Sequence, residues 1–208
     1  RLGERLGGGP AVPDERLHLR LAELAAAATG EPQPEALGAG DAQDDVTKIL
    51  EDAGITVLER TGVILDCFGL RLGIAGAKGF GGGFAGKCGS EFGEPEMKAF
   101  IRHTRIIAEE LGFALNALDC DVLVALTHYS PVPETLLGEP PEIYPFLGSY
   151  LLAEAIDGAP TALAVHGHAH AGSERGTTAG GVKVRNVAHP VIKQAYNVYQ
   201  LSPATAGV

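Results

Sequence analysis

The sequence predicts an α/β fold with a mixed sheet, and three observations carry that reading. The runs 121–127 (DVLVALT) and 161–165 (TALAV) are almost continuously apolar, as strands buried on both faces are. Between residues 94 and 118 apolar side chains recur with helical spacing at Met97, Phe100, Ile101, Ile107 and Leu111. Short β-branched runs separated by turn residues fill much of the rest.

The elements follow in order. After the loop residues Gly7-Gly8-Gly9-Pro10, the stretch 15–29 reads as a helix ending at Gly30. Residues 31–40, with Pro32 and Pro34, read as a connector or weak strand. Val46, Ile49, Leu50 and Ala53 form an i, i+3, i+4, i+7 stripe, so 44–53 is expected to be a helix capped by Asp44 or Asp45 and stopped by Gly54. Strands are expected at 55–58, 63–66 and 70–75, then a Gly-rich loop over 76–93. The long helix 94–118 opens on Pro95, where proline is tolerated, and carries Gly112 as a cost. After the strand 121–127 and a Pro-rich loop, 144–156 reads as one helix, and 161–165, 182–187 and 195–201 read as strands.

Composition bounds the function. At 208 residues the chain is expected to form one domain over 1–208, with 1–40 its irregular part. Apolar residues at 45% and a mean hydropathy of +0.10 suit a sizeable core. Glycine, 29 residues, is twice the usual ~7%. A formal charge of -10 without a Lys/Arg cluster argues against long nucleic acid or an anionic membrane as partner. A small phosphorylated substrate stays open, because bound metal can supply positive charge. Cys67, Cys88 and Cys120 are odd in number and lack C-x-x-C spacing, so buried or semi-buried free thiols in a reducing cytoplasm are expected. No stretch reaches the ~18 apolar residues of a membrane span. The start Arg1-Leu2-Gly3, without Met or signal peptide, reads as that of a fragment or a chain missing its beginning.

Two phosphate-loop patterns occur by composition alone. Gly81 to Lys87 matches G-x-x-x-x-G-K, but Cys88 stands where magnesium binding needs Ser or Thr, and no helix opens there. The overlapping G-x-G-x-x-G on Gly81, Gly83 and Gly86 fails for the same lack of a helix.

The histidines carry more. His166-Gly167-His168-Ala169-His170 follows one buried strand, and in an extended segment His168 and His170 share a face. His128 ends the other buried strand and enters Tyr129-Ser130-Pro131. Neighbouring strands delivering His128, His168 and His170 to one sheet edge would make a three-imidazole metal half-shell. His166 is assigned to packing or to support behind the ligands, and His18, His103 and His189 to the surface.

Leu126-Thr127-His128-Tyr129-Ser130-Pro131 followed by Gly167-His168-Ala169-His170 resembles the two C-terminal boxes of calcineurin-like metallophosphoesterases. The likeness extends back through 46–55 and Gly79-Phe80-Gly81-Gly82-Gly83-Phe84, to about Asp41. It implies a four-layer α/β/β/α sandwich, here lacking its first strand, that holds divalent manganese, iron or zinc. It implies hydrolysis of a phosphomonoester or phosphodiester by metal-activated water. His128 and His168 would ligate one ion and His170 the other. The family's first box, D-x-H, has no counterpart in the chain. Its second would fall on Gly3-Glu4 with Gly7 at the second acid, and its third on Gly38-Ala39-Gly40-Asp41, where Ala39 and Gly40 replace Asn and His. Without the bridging carboxylates, one weakly held ion is expected rather than two. The catalytic residues stay unassigned, and three classes stay open: a metallophosphoesterase truncated or degenerate in its N-terminal half-site, a phosphoesterase-like binding module without turnover, and a mononuclear His₃ zinc enzyme.

Overall fold

The structure, a computed structural model, describes residues 17–20, 39–67 and 69–201. In chain order these form β1 (Leu17–Arg20), α1 (Ala39–Asp52), β2 (Thr61–Cys67), β3 (Leu70–Ala77), β4 (Gly83–Phe84), β5 (Lys87–Cys88), α2 (Pro95–Asn116) and β6 (Val122–Thr127). After two 3₁₀ turns, Pro133–Leu136 and Pro141–Ile143, come α3 (Tyr144–Leu147), α4 (Tyr150–Asp157), β7 (Thr161–His166), β8 (Arg175–Thr177), β9 (Lys183–Asn186), α5 (His189–Ile192) and β10 (Val198–Leu201).

The expected α/β class holds. Six strands make one sheet in the order β2-β3-β6-β7-β9-β8. Its four central strands, β3, β6, β7 and β9, run parallel, and β2 and β8 pair antiparallel at the edges. Parallel central strands are covered on both faces, which is why β6 and β7 read as apolar runs.

The two faces differ in side-chain size. Towards α2 and α4 the sheet presents Ala75, Ala77, Leu123, Ala125, Ala164 and Val184, mostly small. The helices fill that space with Ile107, Leu111, Leu115, Leu152 and Ile156, all buried. Gly112 sits where α2 passes α4: a Cβ there would lie 3.7 Å from that of Ala155. The opposite face carries the larger Leu72, Ile74, Val122, Val124, Leu163 and Val165, which cluster with Leu201 and Tyr199 of β10.

Several expectations are corrected. Leu17–Arg20 is a strand, not part of a helix over 15–29: it pairs antiparallel with β10, Leu17 opposite Leu201 and Arg20 opposite Val198. A distant ladder here overrides local helical propensity; the other residues of that expected helix lie outside the described residues. α1 begins at Ala39 rather than Asp44. Residues 55–58 join no strand, although Leu58 packs against the sheet. The Gly-rich loop contains the hairpin β4–β5, turned by Ala85-Gly86 with Gly86 at φ 79°. The expected helix over 144–156 is two helices. Gly148 is extended and Ser149 caps α4, its hydroxyl accepting from Leu151 N at 3.2 Å. β8, only three residues long, was not expected, and the last strand starts at Val198, not 195. Cys67 and Cys120 are half-buried free thiols, whereas Cys88 is exposed.

No helix among the described residues is long and apolar enough to cross a membrane.

Candidate metal site

β6 and β7 are parallel neighbours, so the residues leaving them meet at the same sheet edge, beyond the strands' carboxyl ends. β6 delivers His128, Tyr129 and Ser130; β7 delivers His166, Gly167 and His168. The end of β3 adds Lys78, whose carbonyl accepts from both His128 N and Tyr129 N at 3.0 Å. These two bonds fix the direction in which His128 leaves the strand.

The imidazoles of His128 and His168 lie 4.6 Å apart between centroids, and the Tyr129 ring stands 4.4 Å from that of His168. His128 is 7% exposed, and its Nδ1 is buried without a hydrogen-bond partner. Leaving such a polar atom unsatisfied costs about 1–3 kcal/mol, so a native fold retains it where something else completes it. His168 Nε2 faces the Phe146 carbonyl at 3.4 Å. A carbonyl only accepts, so Nε2 bears a proton, as the outer nitrogen of a metal-bound histidine commonly does. Two imidazoles side by side, one with an orphaned buried nitrogen, are donors of the kind that a divalent ion of the manganese, iron or zinc type takes.

His168 is not in an extended segment, contrary to the sequence reading. Its φ is 64°, and Ala169 N donates to Gly167 O at 2.7 Å. An i to i+2 bond around a positive φ is a γ-turn, a strained geometry for a residue with a side chain. One side-chain bond and packing hold its far end. Asn186, fully buried in β9, donates from Nδ2 to Ala169 O at 2.8 Å, while its Oδ1 accepts from Ala188 N. Ala169 points inward, buried among Phe84, Leu136, Tyr144 and Leu147.

His170 lies past this turn and is exposed. Among the described residues no three His, Cys, Asp or Glu side chains are gathered as a metal site. The structure therefore brings the rings of His128 and His168 together, while His170 is exposed. Ala39, Gly40 and Asp41 form the first turn of α1, and the other positions aligned with the N-terminal boxes, Gly3, Glu4, Gly7 and Gly38, lie outside the described residues. His166 is fully buried, as its supporting assignment requires. His103, on α2, packs edge-on against Phe80 at 4.6 Å. Sequence reasoning missed Asn186 and Thr135, because a lone polar residue in a strand or loop signals nothing until its partner is known.

Burial, chiefly, pushes His128 down to about 3, with the positive charges of His168, Lys78, His166 and His170 adding to it. Burial likewise lowers His166 to about 4. Both are neutral at pH 7. As pH falls below about 6.5, the unfolded chain protonates these histidines and the folded one does not. The metal-free protein should thus lose about 1.4 kcal/mol per pH unit for each of them across the window down to about 4. Denaturant midpoints measured in chelator between pH 7 and 5 check this; a flat profile would contradict it.

No family model matches the chain, and no curated protein does. One solved structure is similar at 17% identity and a TM-score of 0.43, covering 79% of this chain and 60% of that chain.

Proposed function

We propose that the chain is a metal-dependent phosphoesterase that hydrolyses a small phosphomonoester or phosphodiester. The observation that carries the proposal is the buried, unpartnered Nδ1 of His128 beside the His168 ring, at the carboxyl ends of two parallel strands. His128 and His168 would hold one divalent ion, with His170 exposed. Such an ion supplies Lewis acidity and lowers the pKa of a bound water.

The chain's own residues do the rest. His128 is uncharged at neutral pH, so an ion meets no repelling charge on that ring. The Phe146 carbonyl orients His168, and the Lys78 carbonyl orients the His128 backbone. Lys78 is exposed, and its charge already acts on His128, so its ammonium can neutralise a phosphate oxygen on a chain of net charge -10. The resemblance of the two histidine boxes to calcineurin-like metallophosphoesterases points the same way. So does the large-residue sheet face clustered with β10 of the β1–β10 ribbon, which suits a four-layer α/β/β/α sandwich with the ribbon in its second sheet.

The test is elemental analysis beside hydrolysis of an aryl phosphate and a bis-aryl phosphodiester with added manganese. The expected result is about one ion per chain and manganese-dependent turnover, lost in the His168→Ala, His170→Ala double variant. Bound metal without turnover would overturn catalysis and leave a binding module.

A further inference from the structure

His166 is fully buried, carries a titratable ring, and has no part in holding the ion as proposed. Its two ring nitrogens are both engaged. Nδ1 lies 2.7 Å from Gly167 O, and Nε2 lies 2.8 Å from Thr135 Oγ1. Since a carbonyl can only accept, Nδ1 bears the proton and Nε2 is the acceptor, so the Thr135 hydroxyl donates to it. With that proton committed, Thr135 Oγ1 can only accept across its 2.8 Å contact with Ser130 Oγ; the Val132 carbonyl, 2.8 Å from Ser130 Oγ and 3.1 Å from Thr135 Oγ1, is the other acceptor within reach of the two hydroxyls. Ser130, Thr135 and His166 are each 0% exposed, so water competes for none of these bonds.

The chain of bonds joins the two halves of the site. Ser130 stands two residues after His128, and Gly167 immediately precedes His168. The Gly167 carbonyl that receives the His166 proton is also the one that closes the γ-turn by accepting from Ala169 N. A turn with φ of 64° at His168 persists only where its surroundings over-determine it. Thr135 is 31 residues from His166 in sequence, on the 3₁₀ turn Pro133–Leu136, so this restraint is tertiary.

We infer that Ser130, Thr135 and His166 form a buried strut that holds His168 in its strained turn at a set distance from His128, making His166 and Thr135 positioning residues for the ion. The inference rests on the metal site proposed above. The strut acts through the Gly167 carbonyl and touches neither ion nor substrate.

Cobalt(II) binding to the full chain, followed by its visible absorption, tests this. Thr135→Val keeps the shape of the side chain and removes the hydroxyl; Thr135→Ser keeps the hydroxyl. Loss of outer support of this kind typically costs 10–100-fold in metal affinity, so Thr135→Val should raise the cobalt Kd by about that factor and alter the absorption bands, with Thr135→Ser restoring both. A role limited to stability would lower the melting temperature of the metal-free chain and leave Kd and spectrum as they were. If Thr135→Val does not fold, His166→Asn decides: it retains a donor towards Gly167, loses the acceptor for Thr135, and should weaken binding about tenfold. Unchanged Kd and spectrum in the folded variant would overturn the strut. A wild-type chain that binds no cobalt would overturn the metal site itself, and the strut with it.

Discussion

Alanine at His128 or at His168 is expected to lower divalent-metal affinity by at least about 100-fold and to abolish metal-dependent hydrolysis, because each removes half of the protein's grip on the ion. The two substitutions should differ in stability. His128→Ala removes a buried nitrogen that has no partner in the metal-free chain, so part of the loss in packing is offset by the desolvation cost it relieves. His168 is only half-buried, but alanine there keeps the strained positive φ and loses the ring contact with Tyr129. Isothermal titration with manganese or zinc, beside thermal melts in chelator, separates the two effects. Wild-type affinity in either variant would mean that the ion is held elsewhere.

The second large effect lies in the core. Leu111→Ala is expected to destabilise the fold by about 3–5 kcal/mol, towards the upper end for such substitutions. The reason is the sheet face beneath it. Leu111 is 0% exposed and belongs to the cluster that includes Ala75, Ala77, Ala125 and Ala164. Alanines have no rotamers with which to fill a cavity, so the space left by the isobutyl group stays open. Chemical denaturation of the metal-free protein measures it; a loss under about 1.5 kcal/mol would mean that α2 can settle onto the sheet.

What the sequence discloses depends on how local the cause is. β6 and β7 are legible because parallel strands covered on both faces must be apolar throughout, and His128 and His168 stand out because each ends such a run. The break between α3 and α4 was also written locally: Gly148 followed by Ser149 is a stop and a cap, although apolar spacing suggested one helix. β1 shows the opposite case. Leu17-His18-Leu19-Arg20 alternates apolar and polar over only four residues, too short a signal to outweigh the helical reading around it, and its partner is Val198–Leu201 at the far end of the described chain. The site divides in the same way. The histidine spacing is visible, but the γ-turn at His168 is imposed by Thr135 and Asn186, neither near it in sequence. The extended reading of Gly167–His170 therefore fails at His168, where the folded chain turns.

The central claim is that His128 Nδ1 is completed by a metal ion, and imidazole nitrogen NMR on the ¹⁵N-labelled full chain reads that atom directly. On titration with zinc, the resonance of His128 Nδ1 should shift to that of a metal-bound nitrogen at about one equivalent, with His168 Nδ1 moving in step and His166 retaining its Nδ1–H form. Shifts confined to the exposed rings of His103, His170 and His189, or none with His128 unmoved, would contradict the account.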